Sequence, residues 1–228
     1  MVNKLGAACG ILHALLVPIG FSILTAGGAV VTDLDSTPEE IAAGLDSPPG
    51  SALWVGGYLE CCAFLLFIVF AAWLRDRLRA AGDESWLPDA AYGAAVVLVG
   101  LGMLSFTTGG VFYLLAGTEV DTGAGVALMY VRTLAFTITF LVYALFLAAA
   151  AGSALRTGVL GRPLTWMAAV LAPAFLLAAA APKTDMAQLP GFVVLLWILV
   201  VSISLLRRPD THATASARAS VGDLSSTR

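Results

Sequence analysis

SALWVGGYLECCAFLLFIVFAAWLRD, residues 51–76, decides how this chain is to be read. The run is long and apolar enough to cross a bilayer as a helix, which takes about 20 apolar residues. It nevertheless holds a carboxylate, Glu60, well inside its length. An ionisable group at that depth costs about 2.5–3.5 kcal/mol on insertion scales, so a partner is required. The arginine lying within another apolar run is Arg132, in VALMYVRTLAFTITFLVYALFLAAA at 126–150.

Composition places both runs in a membrane. Of 228 residues, 59% are hydrophobic and 12% charged, and mean hydropathy is +0.91. Ordinary globular domains carry about 25% charged residues. So few charges cannot cover a water-facing surface, and long continuous apolar runs exclude an alternating barrel pattern. The expected fold class is therefore all-α, a bundle of six transmembrane helices at about 5–31, 51–74, 89–116, 123–151, 164–181 and 189–206. The first run is about twice a signal-peptide core and holds His13 and Pro18, so it reads as a retained span. Pro18 and Pro173 are expected kinks. Residues 1–208 form one domain in this reading, and 209–228, small and polar, form a disordered tail.

Between the first two spans, TDLDSTPEEIAAGLDSPPG (32–50) carries a helix start. Thr37 suits the cap, Pro38 the first position and Glu40 the reciprocal carboxylate of a capping box. Ile41 and Leu45, four apart, would lay one face on the membrane surface. The acids of this loop lack the spacing of a calcium loop and read as solvated.

Orientation follows from the basic residues. Lys4, Arg75, Arg77, Arg79, Arg156, Arg162, Arg207, Arg208, Arg218 and Arg228 fall on one side of a six-span chain, with Lys183 on the other. The positive-inside rule places both termini in the cytoplasm of a multi-pass cell-membrane protein.

Counting depth at 1.5 Å per residue puts Glu60 and Arg132 about 13–15 Å from the outer ends of their spans. Counting back along the third span brings Thr107 and Thr108 to the same level. Gly56, Gly57, Gly109 and Gly110 beside these residues would let helices approach closely. Gly125, Arg132, Ala135, Thr139 and Tyr143 share one face of the fourth span, although Phe136 next to it is bulky. Tyr58 lies on a different face from Glu60. His13 enters from the cytoplasmic side and is expected to make a polar contact inside the bundle. The candidate intramembrane site is thus Glu60, Arg132, Thr107, Thr108, Thr139 and His13. Two readings of it stay open, an ion pair that fixes helix register or a solute or proton site opening outward.

Other chemistries find no support. Cys9, Cys61 and Cys62 sit in apolar runs without disulfide or zinc spacing. There is no P-loop, dinucleotide fingerprint, HExxH or GxSxG. No catalytic residues, metal ligands or cofactor are assigned, and the scattered basic residues do not form a nucleic-acid surface.

AGSALRTGVLGRPLTWMAAVLA, residues 151–172, resembles a connection found in uncharacterised six-helix integral membrane proteins of actinobacteria. The matching positions are Leu155, Arg156, Thr157, Gly158, Leu160, Arg162, Leu164 and Trp166. Those proteins carry a proline before the arginine, where Gly161 stands here, and Pro163 follows Arg162 instead. LRDRLRAAGDES (74–85) is similar to a second loop of the group. The resemblance implies a six-helix domain over about 5–208 and lends no catalytic residues. Physically, Gly158 suits a helix end, and Arg156, Arg162 and Trp166 suit interfacial anchors.

Three function classes follow: a structural or regulatory bundle binding lipid, a protein partner or a small ligand; a small-solute or proton-coupled transporter; and an intramembrane enzyme. The first requires the least, since no nucleophile or metal cluster can be assembled and the two halves show no inverted repeat.

Overall fold

In the computed structural model, which describes residues 2–29, 32, 34–46, 49–118, 122–181 and 189–207, all regular structure is helical. The elements are α1 (Val2–Ala26), α2 (Pro38–Ala43), α3 (Ser51–Ala80), α4 (Leu87–Leu115), α5 (Thr122–Thr157), α6 (Arg162–Ala180) and α7 (Leu189–Leu206). All but α2 are long and apolar enough to cross a membrane, which gives the expected six. The expected disordered tail at 209–228 lies outside the described residues.

The helix ends have local causes. α1 stops at Ala26, short of the expected Val31, because the chain turns at Gly27 and Gly28, the latter at φ +89°. α5 runs beyond the expected residue 151 to Thr157 and ends on Gly158 at φ +70°, whose N–H donates to Ala154 O at 2.8 Å. Gly161 follows at φ +76°. Proline is locked near φ −65°, so the residue of the resembled loops could not take this conformation. α2 begins with the expected capping box: Thr37 N–H donates to Glu40 Oε2 at 2.8 Å, and Glu40 N–H donates to Thr37 Oγ1 at 3.2 Å.

The spanning helices close a ring in the order α1, α3, α4, α5, α6, α7 and back to α1. α1 and α3 pack antiparallel along their whole lengths. Gly6 meets Trp73, Gly10 meets Phe70, Gly20 meets Gly56 and Glu60, and Gly27 meets Leu53. With His13, which meets Ala63 O, these contacts on α1 are spaced by four, three, seven and seven residues, the 3.5-residue period of coiled packing. A side chain at Gly56 would stand 2.5 Å from the Leu24 backbone nitrogen, so backbone lies against backbone here.

α3, α5 and α7 end, and α1, α4 and α6 begin, at one end of the ring. Lys4, Arg75, Arg77, Arg79, Arg156, Arg162 and Arg207 lie there. Asp89, in the first turn of α4, binds both Arg75 and Arg79 across the α3–α4 turn. A carboxylate at that position also complements the helix dipole.

The apolar core is divided. A large cluster fills the basic half around Phe67, Phe70, Phe146, Phe175 and Trp197. A small one caps the acidic end with Leu24, Ile41, Leu53, Phe112, Tyr113 and Met129. Ile41 and Leu45 of the α2 segment join this second cluster, so the face expected on the membrane surface is seated on the protein instead. The reason is that Gly125 leaves room at the start of α5, and Leu45 packs directly over it.

Gly56→Val is expected to lower the thermal unfolding temperature in detergent, by an overpacking cost of about 1–3 kcal/mol. Gly93→Ala, at a helical glycine with open space around it, is expected to leave stability unchanged or raise it, since glycine inside a helix costs about 1 kcal/mol relative to alanine.

Candidate functional site

Between the two apolar clusters the helices present polar groups. α3 contributes Glu60, α4 contributes Ser105 and Thr108, and α5 contributes Arg132 and Thr133. Glu60 is half-buried, with its Cγ against Gly20 of α1, where an added Cβ would stand 2.9 Å away. Arg132 is also half-buried. Its stem lies over Gly109 of α4, at 2.9 Å from Cδ and 3.0 Å from Nε to the same hypothetical atom. Each charged side chain therefore rests on a glycine of a different neighbour. The Arg132 charge acts electrostatically on the Glu60 carboxylate. At the basic end of the bundle, Arg75 and Arg79 make direct charge contacts with Asp89, and Arg156 with Asp83.

The remaining site candidates divide. Thr108 is buried and directs its hydroxyl to Leu104 O at 2.9 Å. Thr107 faces outward and donates to Met103 O at 2.8 Å. Consecutive helical residues differ by about 100° in direction, so equal depth does not give both the same surroundings. Thr139 is buried two turns beyond Arg132 and bonds Phe136 O at 2.5 Å. His13 is fully buried, with Nδ1 2.8 Å from Ala63 O, one turn from Glu60 on α3. None of these three hydroxyls reaches across to another helix; each returns to a carbonyl three or four residues back, as helix-borne threonine does readily.

Above the layer, the segment joining α1 to α3 is tied to the acidic end. The Thr32 and Thr133 hydroxyls are 2.7 Å apart, Tyr130 donates to Ser36 O at 2.9 Å, and Gly117 N–H donates to Leu45 O at 2.9 Å. Thr133 is the residue after Arg132, so this tie lands directly on the layer. An open pocket of about 480 Å³ lies between α2 and the adjoining ends of α4 and α5, with Glu39, Asp46, Thr118 and Thr122 in its wall. Among the described residues, no group of three or more histidine, cysteine or acidic side chains could hold a metal ion.

A second charged locus went unassigned in the sequence. Asp83, in the turn between α3 and α4, has a fully buried side chain. Ser85 N–H donates to its Oδ1 at 3.0 Å, Arg79 Nη1 donates to its main-chain O at 3.4 Å, and Arg156 Nε of α5 stands 3.6 Å from Oδ1. Burial by itself would raise the Asp83 carboxyl. The Ser153 hydroxyl beside it, Ser85 and the Arg156 charge outweigh that, and hold it below the ordinary carboxylate range. The arrangement clamps the α3–α4 turn to the end of α5. The signal available was Gly82, at φ +94°, which fixes a tight turn before an acid on the otherwise basic side.

No protein-family model, no curated protein and no solved structure matches this chain.

A carboxyl depressed by folding stabilises above its unfolded-state pKa of about 3.9, and that stabilisation is lost as pH falls through the lower folded-state value. Asp83→Asn is therefore expected to be less stable than the parent at pH 7, with the difference in unfolding temperature closing as pH falls below about 4. An unchanged difference down to pH 2.5 would remove the charge from the account.

Proposed function

We propose that this chain is a multi-pass cell-membrane protein, basic end and both termini in the cytoplasm, whose working element is the mid-depth layer around Glu60 and Arg132. In this proposal the layer sets helix register and serves a regulatory or binding role toward lipid, a protein partner or a small ligand, without catalysis. The observation that carries it is the seating of both charges on glycines, Gly20 and Gly109, in a gap between two apolar clusters. A bundle needing only stability would fill that gap with packed apolar side chains. The Thr32–Thr133 tie over the layer supports a closed, register-setting role. That Glu60 and Arg132 are not fully buried favours a second reading, a small-solute or proton-coupled transporter using the same residues. Membership of the six-helix group resembled at 74–85 and 151–172 belongs to the proposal as well.

Thermal or denaturant unfolding of Glu60→Leu, Arg132→Leu and the double variant in lipid or detergent is the test. Arg132→Leu is expected to be the least stable of the three, and the double variant to recover part of the loss. A coupling energy of about 0.5–3 kcal/mol is expected for interacting side chains. A double variant no better than the worse single would falsify the coupling. Uptake into proteoliposomes that is abolished by Glu60→Gln without loss of stability would move the assignment to transport.

A further inference from the structure

Among the described residues, the buried polar atoms of the basic half without a hydrogen-bond partner include His13 Nε2 on α1 and Ser202 Oγ on α7. Their chemistry is complementary to a small hydrogen-bonding molecule. Ala63 O can only accept, so His13 Nδ1, 2.8 Å away, carries the ring proton of the neutral imidazole. Nε2 is then a bare acceptor. The Ser202 hydroxyl is both donor and acceptor.

Their surroundings converge on Gly10. The Ser202 hydroxyl and the Phe70 ring both occupy the space where a Gly10 side chain would stand. Phe70 stacks on Phe67 with ring centroids 6.0 Å apart, and the His13 ring lies 4.8 Å from that of Phe67. Helical side chains lean toward the N-terminus of their helix, which carries the imidazole from residue 13 toward Gly10. His13 lies one helical turn beyond Gly10 on α1, so its imidazole and the Ser202 hydroxyl belong to the same junction of α1, α3 and α7, on the basic side of the Glu60 layer. Only glycine at position 10 lets Ser202 and Phe70 approach α1 this closely.

We propose that one water molecule binds here, donating to His13 Nε2 and sharing a hydrogen bond with Ser202 Oγ. Buried waters generally satisfy polar groups that the fold leaves orphaned. This one links α1 to α7, the seam that closes the ring. The site is separate from the Glu60–Arg132 layer and stands whatever that layer does.

The chain has two histidines, so ¹⁵N-histidine labelling of the full protein in bilayers gives two imidazoles, and His212→Asn assigns the other. The measurement is water-edited solid-state NMR, reading polarisation transfer from water protons to His13 Nε2. The expected result is an unprotonated, hydrogen-bonded Nε2 that receives water polarisation, with that transfer lost in Ser202→Ala. Elution and melting of the variant are to be checked against the parent. If it does not fold, Ser202→Cys, close in shape and a poor donor, gives the same comparison. A hydrogen-bonded Nε2 without water transfer means a direct His13–Ser202 bond and overturns the proposal. A chemical shift typical of an unbonded nitrogen means a dry site and overturns it too, as does transfer that is unchanged in a folded Ser202 variant.

Discussion

The close approach of α1 to α3 is the constraint on which the other contacts depend. In lipid, apolar side chains gain little by meeting each other rather than acyl tails, so helices associate through tight packing and polar contacts. Gly20, Gly27 and Gly56 supply that packing by bringing main chain against main chain. The same approach delivers His13 to the Ala63 carbonyl and Glu60 to the flank of α1. Bulk added at Gly56 or Gly20 would separate all of these together.

The divided core shows what this packing tolerates. The basic half is filled by interlocked aromatic rings, with Phe67 touching Phe70, Tyr143, Phe146 and the His13 ring. The acidic end is closed by a small cluster under α2 and by three cross-segment hydrogen bonds. The charges lie between these rigid pieces, where the smallest residues of neighbouring helices give them room. Removing two charges from water is costly unless their remaining hydrogen-bonding capacity is met. Glu60 and Arg132 are each partly buried, and their long apolar stems cover the glycines beneath.

Hydropathy made the helix count and the ends of most spans legible, because the bilayer requires a minimum apolar length of every crossing. The Thr37–Glu40 capping box was legible for a similar reason, being a local pattern that needs no tertiary partner. Glu60 and Arg132 stood out as charges inside apolar runs, and counting depth along the helices set them level with Thr107 and Thr108. Direction around the helix could not be fixed by counting. Thr107 therefore entered the site beside Thr108 although it faces outward, and Gly57 was grouped with Gly56 although it receives the Phe106 ring of α4. Gly20 and Ser202 carried no mark of their own, since a glycine or serine in an apolar run has many uses. Asp83 was passed over because charge at a helix end ordinarily means solvent, whereas here the turn folds the carboxylate under Arg156. Ile41 and Leu45 were misplaced for a related reason: an amphipathic face records that it must be covered, without recording by what.

The unequal helix lengths bear on how the bundle sits in a bilayer of given thickness. α6 and α7, with 19 and 18 residues, measure about 27–29 Å and match the roughly 30 Å hydrocarbon layer with little to spare. α5, with 36 residues, measures about 54 Å. A long helix can meet such a mismatch by tilting, but α5 is packed against α6, which would then lose its span. The excess lies at the acidic end instead: α6 begins at Arg162, just past the end of α5, and its Phe175 packs on Phe140 and Tyr143, so the N-terminal part of α5 reaches beyond α6 toward α2. Bilayer thickness thus acts on the bundle chiefly through its two shortest helices.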